Sequence, residues 1–282
     1  VSTPTPGKTW VDSPPPLEPY RFGLFSVASI TDGEGPWQRA GVEYFTDHCA
    51  QGGYILGMCP APLDPGPGTT HDKTVFSGPE LTEGSSPFTI YSRAECNAVG
   101  FEDPRGMALT RLGLIEEREA EKAFAALLLG LEDPRYPLGE AAEAVDLKAA
   151  LGALEKDAAL FYTGAPTLHA PRWTQPYWDS LNLLQPNSDT GTVRRTHLDS
   201  RVAFGGGYPD NPFDPDDPPA ADTFWLVATG TVRGFRGAAF ANETFTQTDN
   251  TRMALAERTY AMDADCYRAA ALVTVGTVGG GA

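Results

Sequence analysis

An α+β fold is predicted by three observations: strand-like segments near the start of the chain, one long helical pattern beginning at Asp103 and Pro104, and strand patterns that close the chain. In that order of elements the terminal strands pair back near the long helix. The 282 residues, 41% of them hydrophobic, supply enough apolar material for one large domain or two modest subdomains.

The elements follow in order. Residues 1–19 carry Pro4, Pro6, Pro14, Pro15, Pro16 and Pro19, so this segment is expected to lack internal hydrogen bonds. It reads as an extended arm that needs a partner surface, or else as a disordered tail. Residues 22–30 and 41–45 read as strands set between Gly and Pro turn signals. From 49 to 87 periodicity fades among scattered glycines and prolines, and so long an irregular stretch is uncommon inside a compact domain unless something else supports it. A neighbouring subunit is one such support.

Residues 88–96 return to a strand, with Phe88 and Ile90 on one face and Thr89 and Tyr91 on the other. Asp103 as N-cap and Pro104 in the first turn then start a helix that runs to 129, with Gly130 as its stop. Leu109, Leu112, Ala120, Ala123, Phe124 and Leu127 recur near helical spacing, against a charged face of Arg111, Glu117, Arg118, Glu121 and Lys122. Residues 146–159 repeat the helical pattern, 166–170 look extended, and 171–184 hold a short aromatic-rich helix. Residues 192–204 and 223–235 read as strands around a Gly-, Pro- and Asp-rich loop at 205–222. The closing strands are 255–262 and 266–275, the last apolar on both faces of its end and therefore buried.

Composition excludes several function classes. A formal charge of -16, from 37 acidic against 21 basic residues, means that a duplex would meet net repulsion, so direct DNA recognition is not expected. Weakly repulsive walls would suit a container in which packed DNA must slide, while acidity alone is ordinarily a matter of solubility. The longest apolar stretches, 123–129 and 224–228, fall short of the roughly 20 residues that cross a bilayer, so no membrane partner is expected. Residues 1–19 have neither the basic head nor the apolar run of a secretory signal, which points to a cytosolic chain. Four cysteines without a CxxC pair point to reduced, structural thiols rather than a disulfide scaffold.

Motifs for catalysis are missing: no GxSxG elbow, phosphate-binding GxxxxGK loop, HExxH helix or dinucleotide GxGxxG occurs, so the chain is expected not to be an enzyme and to need no cofactor. His48, Cys49, Cys59 and His71 carry donors suited to zinc, but their spacing matches no standard site, and they remain weak metal candidates. Asp210, Asp214, Asp216, Asp217 and Asp222 offer oxygen ligands, yet the intervening prolines break a calcium-loop register and a solvated acidic loop is the simpler reading. Trp173, Tyr177 and Trp178, with His169 and Arg172, suit either a ligand-stacking surface or a packing helix. The helical spacing of Trp173, Tyr177 and Leu181 favours packing.

The second half carries a resemblance. Residues 225–230 (WLVATG), a strand at 232–235, a loop through Asn250, the run Leu255-Ala-Glu-Arg-Thr-Tyr260 and the 266–275 strand resemble the end of bacteriophage major capsid proteins of the Hong Kong 97 type. Residues 168–172 (LHAPR), a following helix and 202–208 (VAFGGGY) resemble the central core of capsid proteins from actinobacteriophages. In element order the resemblance covers nearly the whole chain; in residue pattern it covers the second half only.

The resemblance implies an arm and first strand over 1–30, an extended loop over 31–87, a peripheral domain with a spine helix over 88–130, an axial domain over 131–230, and peripheral strands with a tail over 231–282. It implies a virion shell subunit that self-assembles in the host cytoplasm into pentamers and hexamers around double-stranded DNA, without sequence-specific binding. Scaffolding, portal or decoration proteins are further partners it allows. The arm and extended loop would lie across adjacent subunits, with Phe45, Tyr54, Ile55, Leu56 and Phe76 buried there. Arg111 and Arg118 on the spine helix, and Asp214, Asp216 and Asp217 in the loop expected at the ring axis, complete the interface candidates. Two departures stand out: the 282 residues carry no long helical scaffolding segment ahead of the arm, so a separate scaffold or an already processed subunit is expected, and Lys73 alone between Lys8 and Lys122 is available for covalent cross-linking. An encapsulin-like nanocompartment shell and a phage connector or tail protein are the alternatives.

Overall fold

The computed structural model describes residues 21–46, 49, 80–97, 103–129, 134–139, 143–186, 193–214, 216, 219–248 and 250–275. The chain opens with a one-turn helix α1 (Leu24–Val27), β1 (Ser29–Asp32), a second single turn α2 (Trp37–Ala40), and β2 (Val42–Thr46), β3 (Glu80–Ser85) and β4 (Phe88–Asn97). The long helix α3 (Pro104–Leu129) follows, then β5 (Val145–Asp146), α4 (Leu147–Phe161), β6 (Thr167–Pro171), a 3-10 turn and α5 (Gln175–Ser180). β7 (Arg194–Arg195), β8 (Arg201–Gly205), β9 (Thr223–Thr229), β10 (Val232–Arg236), β11 (Phe240–Thr246), β12 (Thr251–Ala264) and β13 (Arg268–Thr274) complete it.

Both principal helices start where an aspartate can satisfy orphan amides. The Asp103 carboxylate accepts from the Gly106 amide at 2.8 Å, and Asp146 accepts from Lys148 and Ala149 at 2.9 and 3.1 Å. On α3 the row Ala108, Leu112, Glu116, Ala120 and Phe124 is buried, one residue per turn, as four-residue spacing on a 3.6-residue helix requires.

That row lies on the first sheet, whose long central strand is β12. β4 pairs along one side of β12, while β10 and β11 follow one another along the other, and β1 adds to β10 in parallel. Ile90, Ala94, Ala254, Ala256, Tyr260 and Met262 face α3 and close this core. The second sheet runs β5-β13-β9-β6-β8-β7, with α4 and Trp178 of α5 packed on it through Leu147, Ala150, Leu154 and Ala158. A separate two-stranded ribbon, β2 with β3, pairs with no third strand among the described residues.

Several expectations need correction. Residues 22–30 are not one strand: α1 occupies their middle because carboxylates of α3 take the amides of Leu24 and Phe25, and only Ser29 onward is extended. The stretch 192–204 is broken by a turn in which Asp199 takes a positive φ of 71°, and 223–235 divides at Gly230 into strands of different sheets. The 231–282 segment likewise divides, because β10 to β12 stay in the first sheet while β13 crosses to pair with β9 in the second. β3 and β11 were not anticipated, the first lying inside the irregular stretch and the second inside the loop before Asn250.

The cysteines are not all reduced. Cys49 and Cys266 form a disulfide across 217 residues of sequence, while Cys96 is free. Cys49 packs on the second core beside the short connection between β12 and β13, where Cys266 lies.

Candidate assembly interface

The carboxylates of α3 organise the region where the chain leaves its N-terminal segment. Glu121 is fully buried, and accepts from the Leu24 amide at 3.0 Å through one oxygen and from the Gly207 amide at 2.7 Å through the other. One turn earlier, Glu117 accepts from the Phe25 amide at 3.1 Å; burial, with the Glu121 charge beside it, pushes its carboxyl up to about 7. A face that reads as solvated from helical spacing therefore carries two inward carboxylates, each holding backbone. Glycine is required at 207, since a Cβ there would stand 2.0 Å from the Arg118 carbonyl oxygen.

Glu116 sits inside the buried row and binds both the Arg258 guanidinium and the Tyr260 hydroxyl of β12, which pins the spine helix to the central strand. Burial and the neighbouring Glu116 charge hold the Tyr260 phenol well above its usual range. On the second sheet, Arg135 makes two hydrogen bonds to Asp157, at 3.0 and 3.3 Å, and stacks 3.4 Å over the Phe161 ring. Tyr267 donates to the same carboxylate at 3.2 Å. Asp263, near Arg268 at 3.6 Å, is raised to about 6 by burial.

His169 has the surroundings of a structural residue. The Thr229 hydroxyl spends its one proton on the Gly230 carbonyl, so it accepts from His169 Nε2 at 2.9 Å, and Nδ1 accepts from Tyr208 at 2.9 Å. Burial depresses the imidazole to about 3, which keeps it neutral. Nothing in this chain of donors activates a nucleophile.

The residues singled out from the sequence are not gathered in one place. Phe45 lies on β2 opposite Leu81. Tyr54, Ile55, Leu56, Phe76 and Asp217, like His48, Cys59 and His71, lie outside the described residues. Cys49, the remaining zinc candidate, is spent in its disulfide and offers no thiolate. Arg111 donates to the Arg93 carbonyl at 2.8 Å, and Arg118 pairs with Glu119 at 3.1 Å, both at exposed positions. Asp214 and Asp216 are exposed, with the Asp214 carboxylate accepting from the Asp216 amide at 3.1 Å. In the aromatic cluster, Trp178 is the buried anchor, whereas Trp173 and Tyr177 remain 39% and 37% exposed; the expected packing face is one residue out.

What sequence reasoning missed is the first sheet's open face. The register aligns Tyr91, Glu257 and Phe240 across three strands on the side away from α3, with Arg93, Leu255 and Asn242 in the next row. Tyr91 and Phe240 are 64% and 58% exposed. The alternation within 88–96 marked Tyr91 as outward, but the unanticipated β11 hid its partner Phe240.

These features define a class: a long helix on a long-stranded sheet, a second sheet body, and a separate two-stranded ribbon. No protein-family model matches the chain, and no curated protein matches it. Among solved structures it is similar to the capsid of an empty GTA particle, with 12% identity, a TM-score of 0.56, and coverage of 95% of this chain and 94% of that chain. It is also similar to the capsid of Ralstonia phage GP4, with 10% identity, a TM-score of 0.52, and coverage of 97% and 95%. The capsid of a native GTA particle matches at 10% identity with a TM-score of 0.51, over 95% and 94%. The chain has the capsid fold of the Hong Kong 97 type.

Proposed function

We propose that this chain is the structural subunit of an icosahedral viral shell, built from rings of five and six copies that enclose double-stranded DNA, and that it works by geometry rather than catalysis. The observation that carries this reading is the extent of the fold likeness, which runs over 95% of this chain and 94% of the GTA capsid chain and so is not confined to one of the two sheet bodies. The β2–β3 ribbon supports the same reading: a sheet of only two strands is marginal in water and gains stability when it lies on a further surface.

On this reading, the first sheet with α3 is the peripheral body and the second sheet is the axial body. Residues 31–87 form the loop that reaches a neighbour, carrying Phe45 and the apolar residues Tyr54, Ile55, Leu56 and Phe76 to it. The acidic loop with Asp214, Asp216 and Asp217 lies nearest the ring axis, where like charges limit how closely copies approach. A surface with a net charge of -16 holds DNA without gripping it, and scaffolding, portal or decoration proteins act on the shell from outside the chain itself. Assembly takes place in the host cytoplasm, ahead of the virion.

Expression together with the neighbouring genes, followed by electron microscopy, tests the proposal. Closed icosahedral particles are expected. A protein that stays monomeric at high concentration, with residues 31–87 folded on its own body, would overturn it.

A further inference from the structure

An open groove of about 580 Å3 lies beside the second sheet, lined by Pro171, Trp173, Pro176, Gly205, Gly206 and Tyr208. Its aromatic wall is rigid. The Trp173 indole N–H donates to Asp210 at 2.7 Å, and the ring meets Phe224 and Tyr177 edge-on at centroid distances of 5.6 and 6.2 Å. Trp173 and Tyr177 nevertheless stay more than a third exposed. Fixed, partly uncovered aromatic rings flanked by glycine backbone are the features by which proteins receive proline-rich segments, whose pyrrolidine rings pack on ring faces at little entropic cost.

The chain itself delivers such a segment to this place. The Phe204 amide donates to the Phe22 carbonyl at 2.6 Å, so the start of the described body is anchored one residue from Gly205 of the groove. Glu121 reinforces the anchor by binding Leu24 and Gly207 together. Immediately upstream stand Pro14, Pro15, Pro16 and Pro19. Pro16 stands six positions before Phe22, a reach of up to about 19 Å at roughly 3.1 Å per residue in a polyproline conformation.

We propose that the groove between Trp173 and Gly205 is the docking site of the Pro14-Pro15-Pro16 segment of the same chain. Docking turns the arm at a fixed point on its own subunit and leaves residues 1–13 to reach a neighbour. The inference stands on local geometry and does not depend on the shell reading, so either can fail alone.

Hydroxyl-radical footprinting of the full chain, read residue by residue by mass spectrometry, tests it. Trp173, whose ring lines the groove, is expected to be oxidised several-fold faster in the P14A/P15A/P16A variant than in the unsubstituted chain, with the fully buried Trp178 unchanged as the measure of intact folding. Equal rates at Trp173 in the two proteins would overturn the proposal. Protection that disappears on dilution would assign the groove to a second copy and overturn the same-chain assignment. As an independent measurement on the otherwise unsubstituted chain, a photo-crosslinking residue in place of Leu17 is expected to capture the 171–177 segment within one chain, and capture only elsewhere would count equally against it.

Discussion

Glu121 shows how much one side chain can hold. Its two oxygens satisfy backbone amides from segments 97 and 86 residues away, and no solvent reaches them. Glu121→Ala would leave both amides buried without acceptors, at a cost of about 2–4 kcal/mol, whereas Glu121→Gln keeps an acceptor and costs less. Urea denaturation of the three proteins orders them directly. Glu117 sets a pH dependence of the opposite sense to the usual carboxylate. Its folded-state value of about 7 lies above the ordinary 4.5, so the folded protein binds the extra proton and stability falls as pH rises from about 4.5 to 7. Asp263, raised from 3.8 to about 6, adds a decline of the same sign at slightly lower pH. Thermal midpoints measured across this range should fall, and Glu117→Gln should flatten the upper part of the slope; a midpoint rising from pH 5 to 7 would contradict both assignments.

The disulfide belongs to the scale of elements, because it ties Cys49, which follows β2 in sequence, to the junction of β12 and β13. Closing a loop of 217 residues restricts the unfolded chain, and its loss is expected to cost about 2–5 kcal/mol. Cys49→Ser, Cys266→Ser and the double variant should lower the urea midpoint by the same amount, as one bond is lost in each. Chemical reduction of the unsubstituted chain should reproduce the shift, and an unaltered midpoint would show that the tether contributes nothing. The turn at 205–207 is equally exacting: with Arg118 carbonyl oxygen 2.0 Å from where a Cβ would sit, Gly207→Ala must push the turn away from α3 and weaken both hydrogen bonds of Glu121. The fold was legible where local rules act alone, as in the Asp103 cap, the α3 and α4 patterns and the alternation of β4. It was not legible at α1, where distant carboxylates override the strand-like composition of 22–30.

For the whole molecule, the open face of the first sheet is the place to separate folding from assembly. Tyr91→Asp combined with Phe240→Asp alters two exposed side chains, so the stability of the lone subunit should change by no more than about 0.5 kcal/mol each. If that face meets neighbouring copies, the yield of closed shells should collapse while circular dichroism and the thermal midpoint remain those of the parent. Shells formed in normal yield would remove this face from the interface.

The amino-acid sequence by itself determined the α+β class, the long capped helix, the burial of the final strand and the chemical poverty of the chain in catalytic motifs. These depend on spacing and on neighbours within a few residues. The tertiary structure decided which sheet β13 joins, the pairing of Cys49 with Cys266, the inward turn of Glu117 and Glu121, and the alignment of Tyr91 with Phe240. Each of these rests on partners tens to hundreds of residues apart, and no local pattern records which distant group will satisfy a buried charge, a thiol or a strand edge.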